Sequence, residues 1–249
     1  MKLSVSIEKY EIISDVLAQT IESSSNLLDR EEFRDFCNNS VDQFRLLMDY
    51  DERAFDQMLN SNIGCQLLME WLLFLAPLAP TIGQLQKDPA LPESLSFVQF
   101  LNTSGADFVD NFKLVISEKD QATLQVSINT ICRQLIEGLS LSRLSVFCVE
   151  QQLMNCLSVK DKITGEIHYL YDPELLELTP NSEIFIGRII QASEAKLLLS
   201  VYCVLPDGKS QNEIVNSCKK WNELMLSEDD FSISDMQVNL LEALVHYLV

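Results

Sequence analysis

The feature that most constrains the fold is a change in hydrophobic period near residue 140. Before this point, apolar side chains recur every three or four residues, as on one face of a helix. After it, Arg143–Val149 and Lys196–Leu205 are short, nearly continuous apolar runs that are typical of buried strands. Only 7 Gly and 7 Pro occur, too few for an all-β fold with many tight turns. The sequence therefore predicts an α+β protein, with an N-terminal helical bundle followed by an α/β sheet domain.

The N-terminal half is expected to form a cluster of short amphipathic helices. One helix is predicted over residues 4–28, and a further one around Trp71 is apolar on nearly all sides, which places Trp71 in the core. Pro77–Pro92 contains four prolines and a glycine and is the best linker candidate. Helices are then expected over 94–101, 107–116 and 120–139. We place the domain boundary between residues 116 and 117, which gives a helical domain (1–116) and a sheet domain (117–249).

The C-terminal half is expected to contain four strands and two helices. Strands are predicted over 143–149, 154–159, 167–171 and 196–205, with the last at the centre of the sheet because it is almost wholly apolar. A short helix is predicted over 182–192, and Ser234 is expected to begin the final helix. On this arrangement the strands that carry Cys148 and Cys203 would be neighbours.

The charge balance excludes some partners. The chain has 18 basic and 37 acidic residues, a formal net charge of −19, and no basic cluster of the kind that nucleic acids or anionic membranes require. The simplest interpretation of this charge is that it keeps the protein in solution, and the alternative interpretation is a basic protein partner. The longest apolar stretch, Leu67–Ile82, is interrupted by Glu70, Pro77 and Pro80, so it is too broken to span a membrane. We therefore expect a cytoplasmic protein.

Catalytic and metal-binding signals are sparse. The seven cysteines are irregularly spaced without a Cys-x-x-Cys pair, and only two histidines are present, so we expect reduced thiols, no metal site and no cofactor. Cys148, His168 and Asp172 are the one set that a cysteine hydrolase could use, but Cys148 lies within a predicted buried strand. Phosphate-binding loops and serine-hydrolase or zinc-protease motifs do not occur in the sequence. We therefore expect a non-enzymatic protein.

Three stretches of the C-terminal half resemble a GAF domain. Leu124–Val149 is similar to the entry helix and first strand of that family, and Asn181–Ile190 followed by Leu197-Leu198-Leu199 is similar to its mid-domain helix and returning strand. Phe231–Asp235 leading into Leu240–Leu244 is similar to its final helix. The likeness is to the degenerate GAF modules of bacterial HDOD signalling proteins, in which a helical region also precedes the module. It implies a sensory or dimerisation module, with a homodimer as an expected assembly.

The resemblance also implies where a small planar ligand would bind. The GAF family keeps its ligand on one face of the sheet, and the side chains expected there are aromatic and sparsely polar. The candidate ligand-binding residues are His168, Tyr169, Tyr171, Phe185 and Tyr202.

The function predicted from these observations is that of a non-enzymatic signalling or regulatory protein that acts through protein–protein contacts and carries a GAF-like sensory or dimerisation module. Two alternatives stay open. The first is an acidic adaptor or anti-activator that binds a basic protein without a small ligand. The second is a cysteine-dependent hydrolase that uses Cys148.

Overall fold

The first half of the chain is helical, with helices of 5 to 22 residues. We analysed a computed structural model that describes residues 6–78, 95–103, 105–153, 156–171, 184–192, 195–205, 209–227 and 233–248. The helices are α1 (Ile7–Leu28), α2 (Arg34–Leu47), α3 (Glu52–Leu59), α4 (Asn62–Glu70), α5 (Phe97–Thr103), α6 (Ala106–Asp110), α7 (Glu118–Leu124) and α8 (Ile128–Leu141). A 3-10 turn (Glu31–Phe33) precedes α2, and a π-helical turn (Trp71–Leu75) follows α4.

The second half forms an antiparallel five-stranded sheet followed by two helices. The elements are β1 (Arg143–Gln152), β2 (Leu157–Asp161), β3 (Ile167–Leu170), β4 (Ile184–Ala192), β5 (Ala195–Leu205), α9 (Lys209–Ser227) and α10 (Ile233–Leu248). The strand order is β3-β2-β1-β4-β5, and every neighbouring pair is antiparallel. The predicted mixture of N-terminal helices and a C-terminal sheet is therefore confirmed.

The chain divides into two compact units. Residues 11–141 form one, which we call the helical unit, and residues 142–248 together with the first ten form the other, which we call the sheet unit. The transition between them along the chain falls between Leu141 and Ser142, later than the domain boundary that the sequence suggested. Of the predicted linker Pro77–Pro92, the described part is Pro77 and Leu78, and Leu78 forms an isolated antiparallel bridge with Leu95.

Short polar side chains begin several helices by accepting hydrogen bonds from unpaired backbone N–H groups. Asp51 accepts from Ala54 N at 2.7 Å at the start of α3, and Ser61 accepts from Gly64 N at 2.9 Å at the start of α4. Ser96 and Gln99 form a reciprocal capping box at the start of α5. These helices therefore begin where local capping chemistry places them.

The core of the helical unit is rich in aromatic residues. Phe33 is fully buried and makes edge contacts with Phe97 at 5.1 Å and Phe108 at 5.6 Å between ring centroids. Trp71 is 6 % exposed, lies beside Phe44, and donates its indole N–H to Ser40 O at 2.8 Å. The prediction that Trp71 is a core residue is therefore confirmed.

The sheet curls so that its two edge strands, β3 and β5, approach each other. The face inside the curl, which we call the inner face, carries a fully buried apolar cluster. Its members are Phe147, Val149, Leu157, Val159, Leu170 and Phe185. The outer face carries Leu144, Val146 and Ile186, and α10 packs against β1 and β5. Both faces are buried, which explains why the strands lack a clean alternation of polar and apolar residues.

The end of β1 is completed by a side chain from α10. Strand β2 pairs with β1 only from Phe147 onward, so the N–H and C=O of Leu144 have no strand partner on that side. Gln237 supplies both bonds: its amide oxygen accepts from Leu144 N, and its amide nitrogen donates to Leu144 O at 2.7 Å. The glutamine thus continues the hydrogen-bond ladder where the neighbouring strand has ended.

Two sequence predictions about the sheet are wrong. The helix predicted over 182–192, which the GAF resemblance also implied, is strand β4; its two faces are both buried, so its apolar residues do not alternate. Strand β5, predicted at the centre, lies at the edge, because β4 pairs between β1 and β5. The strands of Cys148 and Cys203 are therefore not neighbours. An apolar run shows burial and does not fix a strand's place in the order.

Two helix predictions are also corrected. The single helix expected over 120–139 is divided into α7 and α8, because Gln125 adopts a left-handed conformation with φ of 61°. The helix expected over 107–116 ends at Asp110. Within the described ranges, no helix has the length and apolar character needed to cross a membrane.

Candidate functional site

A small polar cluster lies on the inner face of the sheet, at the seam where β3 approaches β5. His168 of β3 and Lys196 of β5 are joined there, with Lys196 Nζ 2.9 Å from His168 Nδ1. An ammonium group can only donate, so Nδ1 accepts and the neutral imidazole carries its proton on Nε2. The Nε2 atom lies 3.9 Å from a carboxylate oxygen of Glu166. This side-chain hydrogen bond joins the two edge strands of the sheet.

The surroundings of His168 favour its neutral form. The residue is 8 % exposed, and the ring of Phe147 contacts it edge-on at 6.0 Å between centroids. Burial, followed by the Lys196 ammonium, lowers the pKa of His168 below its ordinary value of 6.5, against the opposing charges of Asp161 and Glu166. His168 is therefore a buried base held beside a cation.

Asp161 ends β2 and organises the turn that leads into β3. One of its carboxylate oxygens accepts from Ser145 Oγ at 2.8 Å, Ile163 N at 2.7 Å and Thr164 N at 3.1 Å. Gly165 completes the turn with a φ of +78°, which glycine adopts without steric cost. These hydrogen bonds give Asp161 a structural role, in which it fixes the position of β3 and of His168.

The predicted ligand-binding residues occupy different environments. His168 and Phe185 both lie on the inner face; Phe185 is fully buried, lies 5.4 Å from Phe147 between ring centroids, and belongs to a strand instead of the expected covering helix. Tyr169 alternates to the outer face, and Tyr171 follows β3 and makes an edge contact with Tyr10. The side chain of Tyr202 lies outside the described residues.

The residues of the possible hydrolase set are not assembled by the described part of the sheet. Cys148 pairs with Lys160, whereas His168 pairs with Val159, so alternation puts the thiol and the imidazole on opposite faces. Asp172 lies outside the described residues. Among the residues that are described, no group of three or more Cys, His, Asp or Glu side chains could hold a metal ion.

A second candidate site is an open groove of about 430 Å³ in the helical unit, between α8 and the α5–α6 segment. Its floor is apolar and buried, and consists of Leu101, Val109 and Ile136. Its more polar rim consists of Asn102, Ala106, Thr130, Arg133, Gln134 and Glu137. Arg133 is held in place by bonds from Nε and Nη2 to Asp110, the shortest at 2.7 Å. The groove therefore presents hydrogen-bonding groups at its rim around an apolar floor.

Neither Lys196 nor the groove was identified from the sequence. The turn around Asp161 has a readable signal, because an aspartate followed by Thr164 and Gly165 is typical of a side-chain-capped turn. No sequence pattern indicated a role for Lys196, because its pairing with His168 depends on the curl of the sheet. The groove depends in the same way on how α5 packs against α8.

Comparison with known proteins adds no assignment: no protein-family model matches this chain, and neither a curated protein nor a solved structure shows significant similarity to it.

Proposed function

We propose that this protein is a non-enzymatic regulatory or signalling protein that acts through contacts with other proteins, and that its helical unit binds an amphipathic, basic segment of a partner. The observation that carries the proposal is the groove beside α8. An open channel with an apolar floor and a hydrogen-bonding rim is the kind of surface into which an amphipathic helix places its apolar face.

The charge of the helical unit favours a basic partner. Residues 11–141 contain 20 acidic and 8 basic side chains. On α1 the exposed Glu11, Asp15 and Glu22 fall within one narrow face, since their spacing is close to whole helical turns. Such a field attracts cations and accelerates their association, with an effect that salt weakens. The apolar floor would then select an amphipathic partner from among basic ones.

The test is a binding measurement with a defined probe. A fluorescent amphipathic helical peptide of leucine and lysine is titrated with the protein at two salt concentrations, and a leucine–glutamate peptide of the same length serves as the charge control. Ala106→Arg places a long side chain at the groove rim and should weaken binding about tenfold, which corresponds to the loss of roughly 1.4 kcal/mol. Since Ala106 is exposed, the variant is expected to fold.

The matched control is Ala122→Arg, which makes the same substitution and charge change at an exposed position of α7, outside the groove and away from the acidic face of α1. Its affinity should stay within about twofold of the wild type, a difference of roughly 0.4 kcal/mol. An equal loss in both variants would show that the peptide responds to net charge alone, and would contradict the groove proposal.

For the sheet unit, we propose a GAF-like module that serves as a dimerisation or scaffold element. The support is that the described inner face is filled by its own side chains, with Phe147 and Phe185 at 2 % exposure or less. A thermal-shift screen of nucleotides, haem-like compounds and amino acids tests the sensory alternative. A compound that raises the unfolding midpoint of the wild type but not of Phe185→Ala would favour a sensor, and light scattering reports the dimer.

A further inference from the structure

The curl of the sheet is closed at one seam by a side-chain pair. Strands β3 and β5 are at opposite ends of the strand order, and no backbone ladder between them occurs in the described residues. The His168–Lys196 hydrogen bond joins them at 2.9 Å. Immediately behind it lie Val159 and Leu170, which are fully buried members of the inner-face cluster. The pair therefore stands between solvent and the apolar interior of the curl.

The pair is compatible with only one charge state of the imidazole. When His168 is neutral, its Nδ1 lone pair accepts from the Lys196 ammonium. When it is protonated, Nδ1 becomes a second donor, and two cations face each other at the seam. The charged groups described around His168 are Lys196 from β5, Asp161 from the end of β2 and Glu166 from the turn before β3; β1 contributes the uncharged Phe147.

The carboxylates of Asp161 and Glu166 do not neutralise the repulsion between Lys196 and a protonated His168. Asp161 already accepts three hydrogen bonds, two from backbone N–H groups of its own turn and one from the Ser145 hydroxyl of β1. Glu166 is 3.9 Å away with a side chain that is 68 % exposed, where water screens its charge. Burial and Lys196 both act against the imidazolium, and the net effect is a lowered pKa for His168. The geometry of the pair and the charges around it therefore both favour the neutral imidazole of His168 as the form that joins β3 to β5.

We propose that His168 and Lys196 form a pH-sensitive latch, in which protonation of His168 separates β3 from β5 and exposes the inner face of the curled sheet. The latch is independent of whether the helical groove binds a peptide, because it lies wholly within the sheet unit. Its consequence is a sheet that is closed at neutral pH and presents two strand edges and an apolar surface in mild acid. Such edges accept additional strands from a partner.

The experiment follows the imidazole and the seam together in the intact protein. The chain has only two histidines, so an NMR titration resolves both, and His168→Gln identifies which signal is His168. We expect His168 to titrate below 6.5. Hydrogen exchange of the β3 and β5 amides, corrected for its intrinsic pH dependence, should become about tenfold faster between about pH 7.5 and 5, a range in which ordinary carboxylates stay ionised.

Two variants isolate the latch. The Gln side chain in His168→Gln can still accept from Lys196 but does not titrate, so β3 and β5 should stay protected across the same pH range. In Lys196→Met the cation is removed but the burial of His168 remains, so the pKa of His168 should rise part of the way toward its ordinary value and the exchange should depend less on pH than in the wild type. Parallel exchange profiles in the wild type and His168→Gln would overturn the proposal, as would titration of His168 without faster exchange at the seam.

Discussion

The helical unit and the sheet unit bury polar groups in different ways. In the helical unit, the strongest bonds of the buried hydroxyls lie within one helix: Thr20 Oγ1 donates to Val16 O at 2.7 Å, and Ser24 Oγ donates to Thr20 O at 2.8 Å. In the sheet unit, buried polar side chains also bond to groups that are distant in sequence, as Gln237 does with Leu144 and Asp161 does with Ser145. A helix satisfies its backbone locally, whereas a sheet leaves unpaired groups wherever a neighbouring strand ends.

This difference affects how precisely the side chains of each unit must be placed, as well as how stable each unit is. The aromatic core of the helical unit is non-directional and tolerates small shifts, because burial depends mainly on area. The sheet unit relies on directional bonds such as Arg188 Nη1 to Ser142 O at 2.7 Å, with Arg188 only 1 % exposed. Substitutions should therefore act mainly through lost volume in the helical unit, where the Trp71–Ser40 hydrogen bond adds a smaller directional part, and also through unpaired polar groups in the sheet unit.

The largest effect is expected at Trp71. Trp71→Ala removes a nearly buried indole together with its hydrogen bond to Ser40 O, so the free energy of unfolding should fall by about 5 kcal/mol. Urea unfolding measures this change. Trp71→Phe keeps most of the volume but not the N–H group, and should cost less than half as much. An unchanged midpoint in Trp71→Ala would indicate an exposed docking stripe and contradict the aromatic-core description.

Phe185 gives the corresponding measurement in the sheet unit. Phe185→Ala should lower the free energy of unfolding by about 3–4 kcal/mol, because the ring is fully buried against Phe147. Phe185→Leu retains apolar volume and should cost about 1 kcal/mol. If Phe185→Ala were nearly neutral in urea unfolding, the residue would line an open pocket, and the sensory alternative would gain support.

A smaller effect is expected at Gln237, where volume is a minor part of the cost. Gln237→Ala leaves the buried N–H and C=O of Leu144 without partners and should reduce the free energy of unfolding by about 2–3 kcal/mol. Gln237→Glu keeps the acceptor for Leu144 N but loses the donor to Leu144 O. Gln237→Leu should lower the free energy of unfolding as much as Gln237→Ala does. A much smaller loss in Gln237→Leu would show that packing, not hydrogen bonding, dominates at this position.

The reactivity of the cysteine thiols should differ between the two units, and this difference can be measured without a destabilising substitution. Cys65 of the helical unit is exposed, whereas Cys218 of the sheet unit is fully buried and its pKa is raised to about 12, first by burial and then by the charge of Asp161. Cys65 should therefore react with a thiol reagent at pH 8 in the native state, while Cys218 reacts only after unfolding. Mass spectrometry after timed labelling identifies the sites, and denatured protein without reductant should show all seven thiols.

Much of the fold could be predicted from the sequence because it depends on interactions between residues that are close together in the chain. Hydrophobic spacing predicted the helix that corresponds to α1, and the apolar run ending at Leu205 predicted the strand that corresponds to β5. Strand β4 was misread because burial on both faces removes the alternation that distinguishes a strand from a helix. Of the polar seam, His168 was singled out from its residue type, but its partner was not.

By itself, the sequence determined the mixture of N-terminal helices and a C-terminal sheet, the acidic charge, and the core position of Trp71, since each follows from residue type and spacing along the chain. Tertiary structure decided the strand order, the curl of the sheet and the groove beside α8. These depend on contacts between segments far apart in sequence, such as Lys196 with His168 and α5 with α8. Hydrophobic burial can be satisfied by many arrangements of the same elements, and only the directional bonds and packing of the folded chain select one.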